Sequence, residues 1–249
     1  MSTSEARRVV TVERGTEWED GFARPRVMLQ PYAAPSVLGL FGFAAATFMV
    51  ALHLTGVDGG AKTNGELWPF AAMFGGVAQF MAGMWAFRVR DTIATAMHGM
   101  WGSFWIAFGI FNVLVQWGKL PDHPAGSVSD PAFAMWFWTL MAITAAGALA
   151  AIAESLALFS VLGTLALGSL FFAIGLSAGS TGWVKVAGWV FVASAILAWY
   201  TATAIMMLSG AGKVILPLGK PKKEANVPGG QPVKPIQLEW AEPGVKMGQ

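Results

Sequence analysis

Among the few polar side chains within the long apolar stretches of this sequence, Gln79 and His98 stand apart. Each carries donors and acceptors that one helix cannot satisfy, so each must meet a neighbouring helix or a wet pathway. A histidine in such a place is able to hold a positive charge or a proton. His53 and His98 invite a haem reading, but at 1.5 Å of rise per residue their depths differ by roughly 20 Å, too far for one iron to bridge. His123 falls in a polar connection and reads as solvated. With no cysteine, disulfides, haem thioether links and thiolate metal sites are excluded. The spans offer no acid, base or nucleophile with a polar partner, so no catalytic residue, metal site or cofactor is expected and the chain does not read as an enzyme. The scattered Ser and Thr hydroxyls are expected to bond back to their own helix backbones.

The elements that position these side chains are set by where charge is absent. Charged residues make up 12% of the 249 residues, against about a quarter in soluble domains. Ten lie before residue 31 and nine after 212, leaving only eleven in the 182 residues between. Those eleven bound uncharged stretches of about 20 residues or more, the length a helix needs to cross ~30 Å of hydrocarbon. The fold class is therefore all-α and polytopic, with six spans near residues 35 to 56, 68 to 87, 93 to 116, 131 to 152, 155 to 178 and 184 to 208. Continuous rather than alternating apolarity disfavours a β-barrel.

Lys and Arg concentrate in the amino-terminal segment, at Arg88 and Arg90, and after the last span, which predicts an integral plasma (inner) membrane protein with both termini cytoplasmic. The expected layout is a cytoplasmic extension over 1–32, a transmembrane domain over 33–217 and a flexible cytoplasmic tail over 218–249, without a removable signal peptide. A net charge of +2 argues against nucleic acid and leaves membrane lipid as the partner of the basic residues. Glycines within the spans read as helix-packing sites, Gly175 and Gly179 with the spacing of a close-contact face. Trp68, Trp117, Trp136, Trp138 and Trp183 read as interfacial belt residues, and Trp18 and Trp240 as incidental aromatics or docking anchors.

Several stretches carry a further signal: AAPSVLGLFGF at 33 to 43, FGGVAQFMAGMWAF at 74 to 87, WGSFW at 101 to 105, FFAIGLSAGS at 171 to 180, AWYTATA at 198 to 204 and VILPLG at 214 to 219. In this order, with matching loop lengths, they resemble the acetate uptake transporters, which include bacterial succinate/acetate permeases and fungal relatives. The resemblance implies a six-helix protomer with its own pathway, assembled as a homohexamer, that passes acetate or other small carboxylates by proton coupling or as an anion channel.

It also implies site residues. The first-helix motif at the cytoplasmic mouth maps onto Pro35, Ser36, Leu38 and Gly39, where an open helix start leaves amides for a carboxylate. The family's asparagine there is Ala34 and its second proline Val37, and Ser36 stands in as a donor. The constriction maps onto Phe43 and Trp101, with Leu165 and Ala198 at positions that tune substrate size. A narrow apolar neck gates by dewetting. Gln79 matches a family glutamine, and His98 replaces an aromatic one turn before Trp101. A fifth-helix asparagine is Leu176 here, so the lumen is less polar than the family pattern. Two alternatives stay open: a channel for neutral solutes such as urea, amides or ammonia, and a non-transporting subunit of a larger membrane complex.

Overall fold

The computed structural model describes residues 33–57, 63–120 and 128–219, nearly all of them in one compact unit that begins at Ala34. The tails with Trp18, Trp240 and Lys220 to Lys223, and the loop residue His123, lie outside the described residues. All regular structure among the described residues is helical: α1 Pro35–Thr55, α2 Thr63–Ala71, a π-helical turn π1 Ala72–Ala78, α3 Gln79–Val89, α4 Thr92–Gln116, α5 Pro131–Ala151, α6 Leu156–Ala178 and α7 Thr181–Ala211. Taking Gly65–Val89 as one span, six helices among the described residues are long and apolar enough to cross a membrane, and the chain is an integral membrane protein.

The observed ends differ by a few residues from those drawn at charges, because caps decide where a helix stops. Asp91, Asp130, Ser155 and Ser180 each accept a hydrogen bond from a backbone amide three residues on, at 2.8, 2.9, 3.2 and 3.4 Å. Ser180 thereby starts α7 at Thr181 rather than near 184. Gly179 ends α6 with φ of 63°, so it is a left-handed terminator and not the second half of a contact face. Gly175 does pack closely: a Cβ there would come within 2.9 Å of Val184 Cγ2. Gly163, by contrast, has nothing nearer than 4.0 Å within the described residues of one protomer.

The second span is not one α-helix. Pro69 lacks the amide that would bond back one turn, and the π turn beyond it shifts the phase of the later residues. Where this span approaches α1 and α4, backbone meets backbone. A Cβ on Gly42 would strike the Phe74 carbonyl oxygen of π1, one on Gly83 would lie 2.7 Å from Gly99 N, and one on Gly102 2.6 Å from Phe80 N. Around this pair, α1 packs mainly on α7, α7 on α6 and α6 on α5. The backbones of α4 and α5 touch least, and side chains fill the seam between them. The hydroxyls of Ser103, Thr139, Ser160, Ser169, Thr201 and Thr203 donate to the carbonyl four residues earlier, as expected for helix interiors in lipid.

After α7 the chain turns at Gly212 and runs back as a strap without regular secondary structure. The carbonyls of Gly219 and Leu218 accept from the first two amides of α6, Leu156 and Ala157, at 2.9 and 3.0 Å, and Tyr200 Oη donates to Pro217 O at 2.7 Å. The start of the segment read as a free tail is thus held against the bundle.

Replacing Gly42 by Ala forces α1 off π1 and should cost about 1–3 kcal/mol, whereas Gly163→Ala, with open space around it, should be neutral or slightly stabilising. Thermal unfolding of the two variants in detergent, followed by circular dichroism, checks the difference.

Candidate functional site

Two cavities lie along the bundle. The proximal one, at the end where α1 begins, has a volume of about 50 Å³ and is lined by the first turns of α1, α4 and α6 and the last of α7: Ser36, Leu40 and Phe43, then Ile93, Ala94 and Met97, then Ser155 and Leu158, then Thr201 and Ile205. Gln79 and His98 complete its wall, and Asp91, Glu154 and Leu218 of the strap line it too. The distal one, about 330 Å³, is lined by the opposite ends of the same helices together with the start of α5, including His53, Asn112, Asp130, Phe133, Leu176 and Val184. Trp101 and Leu165 belong to both linings.

Those two side chains, with Phe43, form the partition. Phe43, Trp101 and Leu165 are almost wholly buried. The rings of Phe43 and Trp101 meet edge to face at 6.2 Å between centroids. The indole cannot swing freely, because its Nε1 donates to Thr144 Oγ1 across the α4–α5 seam at 2.9 Å, and Thr144 is itself fully buried. One such bond in an apolar partition holds the ring in one orientation and satisfies a donor that would otherwise cost about 1–3 kcal/mol. Beyond the partition the distal wall is an aromatic relay: Phe104 contacts Trp101 and Phe137 at 5.4 Å each, and Phe137 contacts Phe172 at 4.5 Å. Thr47 Oγ1 and Trp105 Nε1, buried atoms of residues that line this chamber, have no protein partner among the described residues.

On the proximal side the imidazole of His98 lies against Gly39, where a Cβ would come within 2.5 Å of its Cε1. Gln79 Nε2 is 3.4 Å from His98 Nδ1, and Gln79 Oε1 is buried without a partner among the described residues. Both side chains that the sequence required to find polar company therefore find each other and a cavity. His53 and His98 line different chambers.

Of the residues named from the sequence, Ser36, Phe43, Gln79, His98, Trp101 and Leu165 are gathered around the proximal chamber. Gly39 is behind it, as the seat of the imidazole. Pro35 is the first residue of α1 and only half-buried. Leu38 is 48% exposed on the outer side of α1, while Leu40 lines the chamber, since Ser36, Leu40 and Phe43 recur at helical spacing and Leu38 does not. Ala198 is fully buried between helices and lines neither chamber. Sequence reasoning missed Thr144, 43 residues from its partner, and the aromatic distal wall.

Comparison with known proteins fits this geometry. The pattern of the GPR1/FUN34/yaaH family matches residues 21–218. The ammonia transport outward protein 2 of Saccharomyces cerevisiae is 27% identical over 175 residues, covering 70% of this chain and 61% of that protein, so the chain spans only about three-fifths of that relative's length. The succinate-acetate/proton symporter SatP of Escherichia coli is 26% identical over 194 residues, 76% of this chain and 96% of that one. Acetate permease A of Emericella nidulans is 26% identical over 216 residues, covering 82% and 71%. The solved structure of the bacterial acetate channel SatP superposes with a TM-score of 0.69 at 25% identity, covering 76% of this chain and all of that one.

Thr144→Val keeps the shape of the seam but strands the indole N–H, and should destabilise the protein by about 1–3 kcal/mol. Thr144→Ser, which restores the acceptor, should recover most of the loss in the same detergent unfolding assay.

Proposed function

Because the chain belongs to the GPR1/FUN34/yaaH family, we propose that it is a membrane permease or channel for acetate and related short-chain carboxylates, with one route through each protomer. The observation that carries this reading is the pair of chambers meeting at the Phe43, Trp101 and Leu165 neck. A permeant crosses by displacing or squeezing past three apolar side chains, and water does not wet so narrow a passage readily. Among the described residues no Lys or Arg lines either chamber, so no permanent positive charge there slows an anion's release. Selectivity then rests on bore and on neutral polar groups, with Gln79, His98 and Ser36 on one side and Asn112 on the other. The transport reading leaves no step for covalent catalysis, and the relatives SatP and acetate permease A are transporters.

The Lys and Arg at Arg88, Arg90 and Lys213 favour an orientation with the proximal chamber facing the cytoplasm. Exposed Met135, Trp136 and Leu149 give the bundle an apolar exterior suited to lipid or to copies of itself, as a homohexamer would need. A second reading, a conduit for neutral solutes such as ammonia, is favoured by one feature: the ionisable side chains that join the histidines in the linings are the carboxylates Asp91, Glu154 and Asp130, which attract no anion.

Labelled acetate uptake into proteoliposomes, with and without an imposed proton gradient, tests the first reading. Trp101→Ala should widen the neck, raising acetate flux roughly tenfold, equivalent to ~1.4 kcal/mol of barrier, and admitting bulkier carboxylates. Uptake of ammonia without uptake of labelled acetate would favour the second reading, and an acetate-dependent current would mark passage of the anion without its proton. No flux of either would point to a non-transporting subunit.

A further inference from the structure

The contact between Gln79 and His98 has a chemical asymmetry. Gln79 Nε2 lies 3.4 Å from His98 Nδ1, and with the amide in this orientation its NH2 only donates, so Nδ1 accepts and the neutral ring carries its proton on Nε2. The other arm of the amide, Oε1, is then an acceptor with no partner among the described residues. Neither side chain is free to rearrange by translation: the ring is backed by Gly39 of α1, and Gln79 is the first residue of α3, fixed by the glycine contacts of the preceding π turn. What remains is rotation of the amide about its last torsion, which is broad and roughly two-fold.

Protonation at Nδ1 reverses the requirement. An Nδ1–H group facing an amide NH2 sets donor against donor, and a half-turn of the amide relieves this by bringing Oε1 to the ring and swinging the NH2 to where Oε1 was. We propose that Gln79 and His98 form a proton-set polarity switch at the proximal side of the neck. It presents an acceptor to the permeant while His98 is neutral and a pair of N–H donors beside a cation once His98 is protonated. This inference rests on the reading of the proximal chamber as part of a carboxylate route.

The chemistry balances without any further reactant. A carboxylic acid arriving undissociated donates its O–H to Oε1. As the amide turns, its N–H leaves Nδ1 and the acid's proton passes to the freed lone pair, directly or through one chamber water, which breaks the O–H bond, forms the N–H bond and leaves a carboxylate. The turned amide and the imidazolium hold that anion one helical turn from Trp101. Departure with the proton runs the sequence backwards. Because the anion binds best to the state that holds the proton, anion and proton affinities are reciprocally linked. The neck thus receives the two together although no fixed positive charge among the described residues lines the route. The other ionisable groups lining the chamber with His98 are Asp91 and Glu154, and Asp91 is engaged as the cap of α4 through Ala94 N. The faces of α1 and α3 against the ring contribute Gly39 and Gln79, which do not titrate.

Two measurements decide the proposal. In proteoliposomes of the full chain, KM for labelled acetate, expressed per acetate anion, should rise about fivefold or more between roughly pH 5 and pH 8 in the wild type. It should become flat in His98→Gln and in Gln79→Leu. Persistence of the wild-type pH dependence in both variants would overturn the switch. An absence of uptake by the wild type would instead count against the carboxylate route, and the second measurement then decides the switch alone. Nitrogen-15 spectra of histidine-labelled protein in lipid, with the His98 signals identified by their loss in His98→Gln, should give the Nε2–H tautomer at high pH, and Gln79→Leu should mix in the Nδ1–H form. A neutral His98 carrying its proton on Nδ1 in the wild type would sink the proposal whatever the transport result.

Discussion

Helices in lipid gain nothing from merely hiding apolar surface against one another, so how closely two of them approach is decided by what projects between them. In this bundle the answer around the second span is nothing at all. Gly42 lets α1 rest on the Phe74 carbonyl, and Gly83 and Gly102 let α3 and α4 meet backbone to backbone. That closeness is what brings Gln79 within reach of a histidine on α4 and leaves room for an imidazole only because position 39 is also a glycine. If any of these glycines bore a side chain, the polar pair would be pulled apart and the partition beside it would lose its backing.

The opposite condition holds at the α4–α5 seam. There the backbones stay apart, and the gap is filled by Trp101, Phe104, Phe133 and Phe137, whose rings meet mostly edge to face. The rings fill this gap through contacts that are mostly not hydrogen bonds. The directional bond from Trp101 to Thr144 fixes the ring that both chambers share. Tight packing on one side of the protomer and a side-chain-filled gap on the other are complementary halves of one arrangement.

Much of this was legible in the sequence, and the reasons for the rest are physical. Six spans follow from the placement of eleven charges, since lipid tolerates few unpaired ones. That Gln79 and His98 needed partners was equally plain. That they would partner each other was not, because Pro69 and the π turn shift the phase of α3 away from what regular helical counting gives. Leu38 was read from its neighbours in a motif rather than from its angle on the helix, and the angle carries Leu40 into the chamber instead. Thr144 left no trace as the anchor of Trp101, because a hydroxyl on an apolar helix looks the same whether it bonds to its own backbone or to another helix.

The strap after α7 ties this architecture to the way the chain is made. Leu218 shares the wall of the proximal chamber with Ser36 of the first helix, and its carbonyl and that of Gly219 occupy the opening amides of α6. Synthesis runs from the amino terminus, so the earliest helix waits in the membrane with an unfinished wall until the segment beyond the last helix leaves the ribosome. The wall of the proximal chamber is therefore complete only when almost the last described residues have been made.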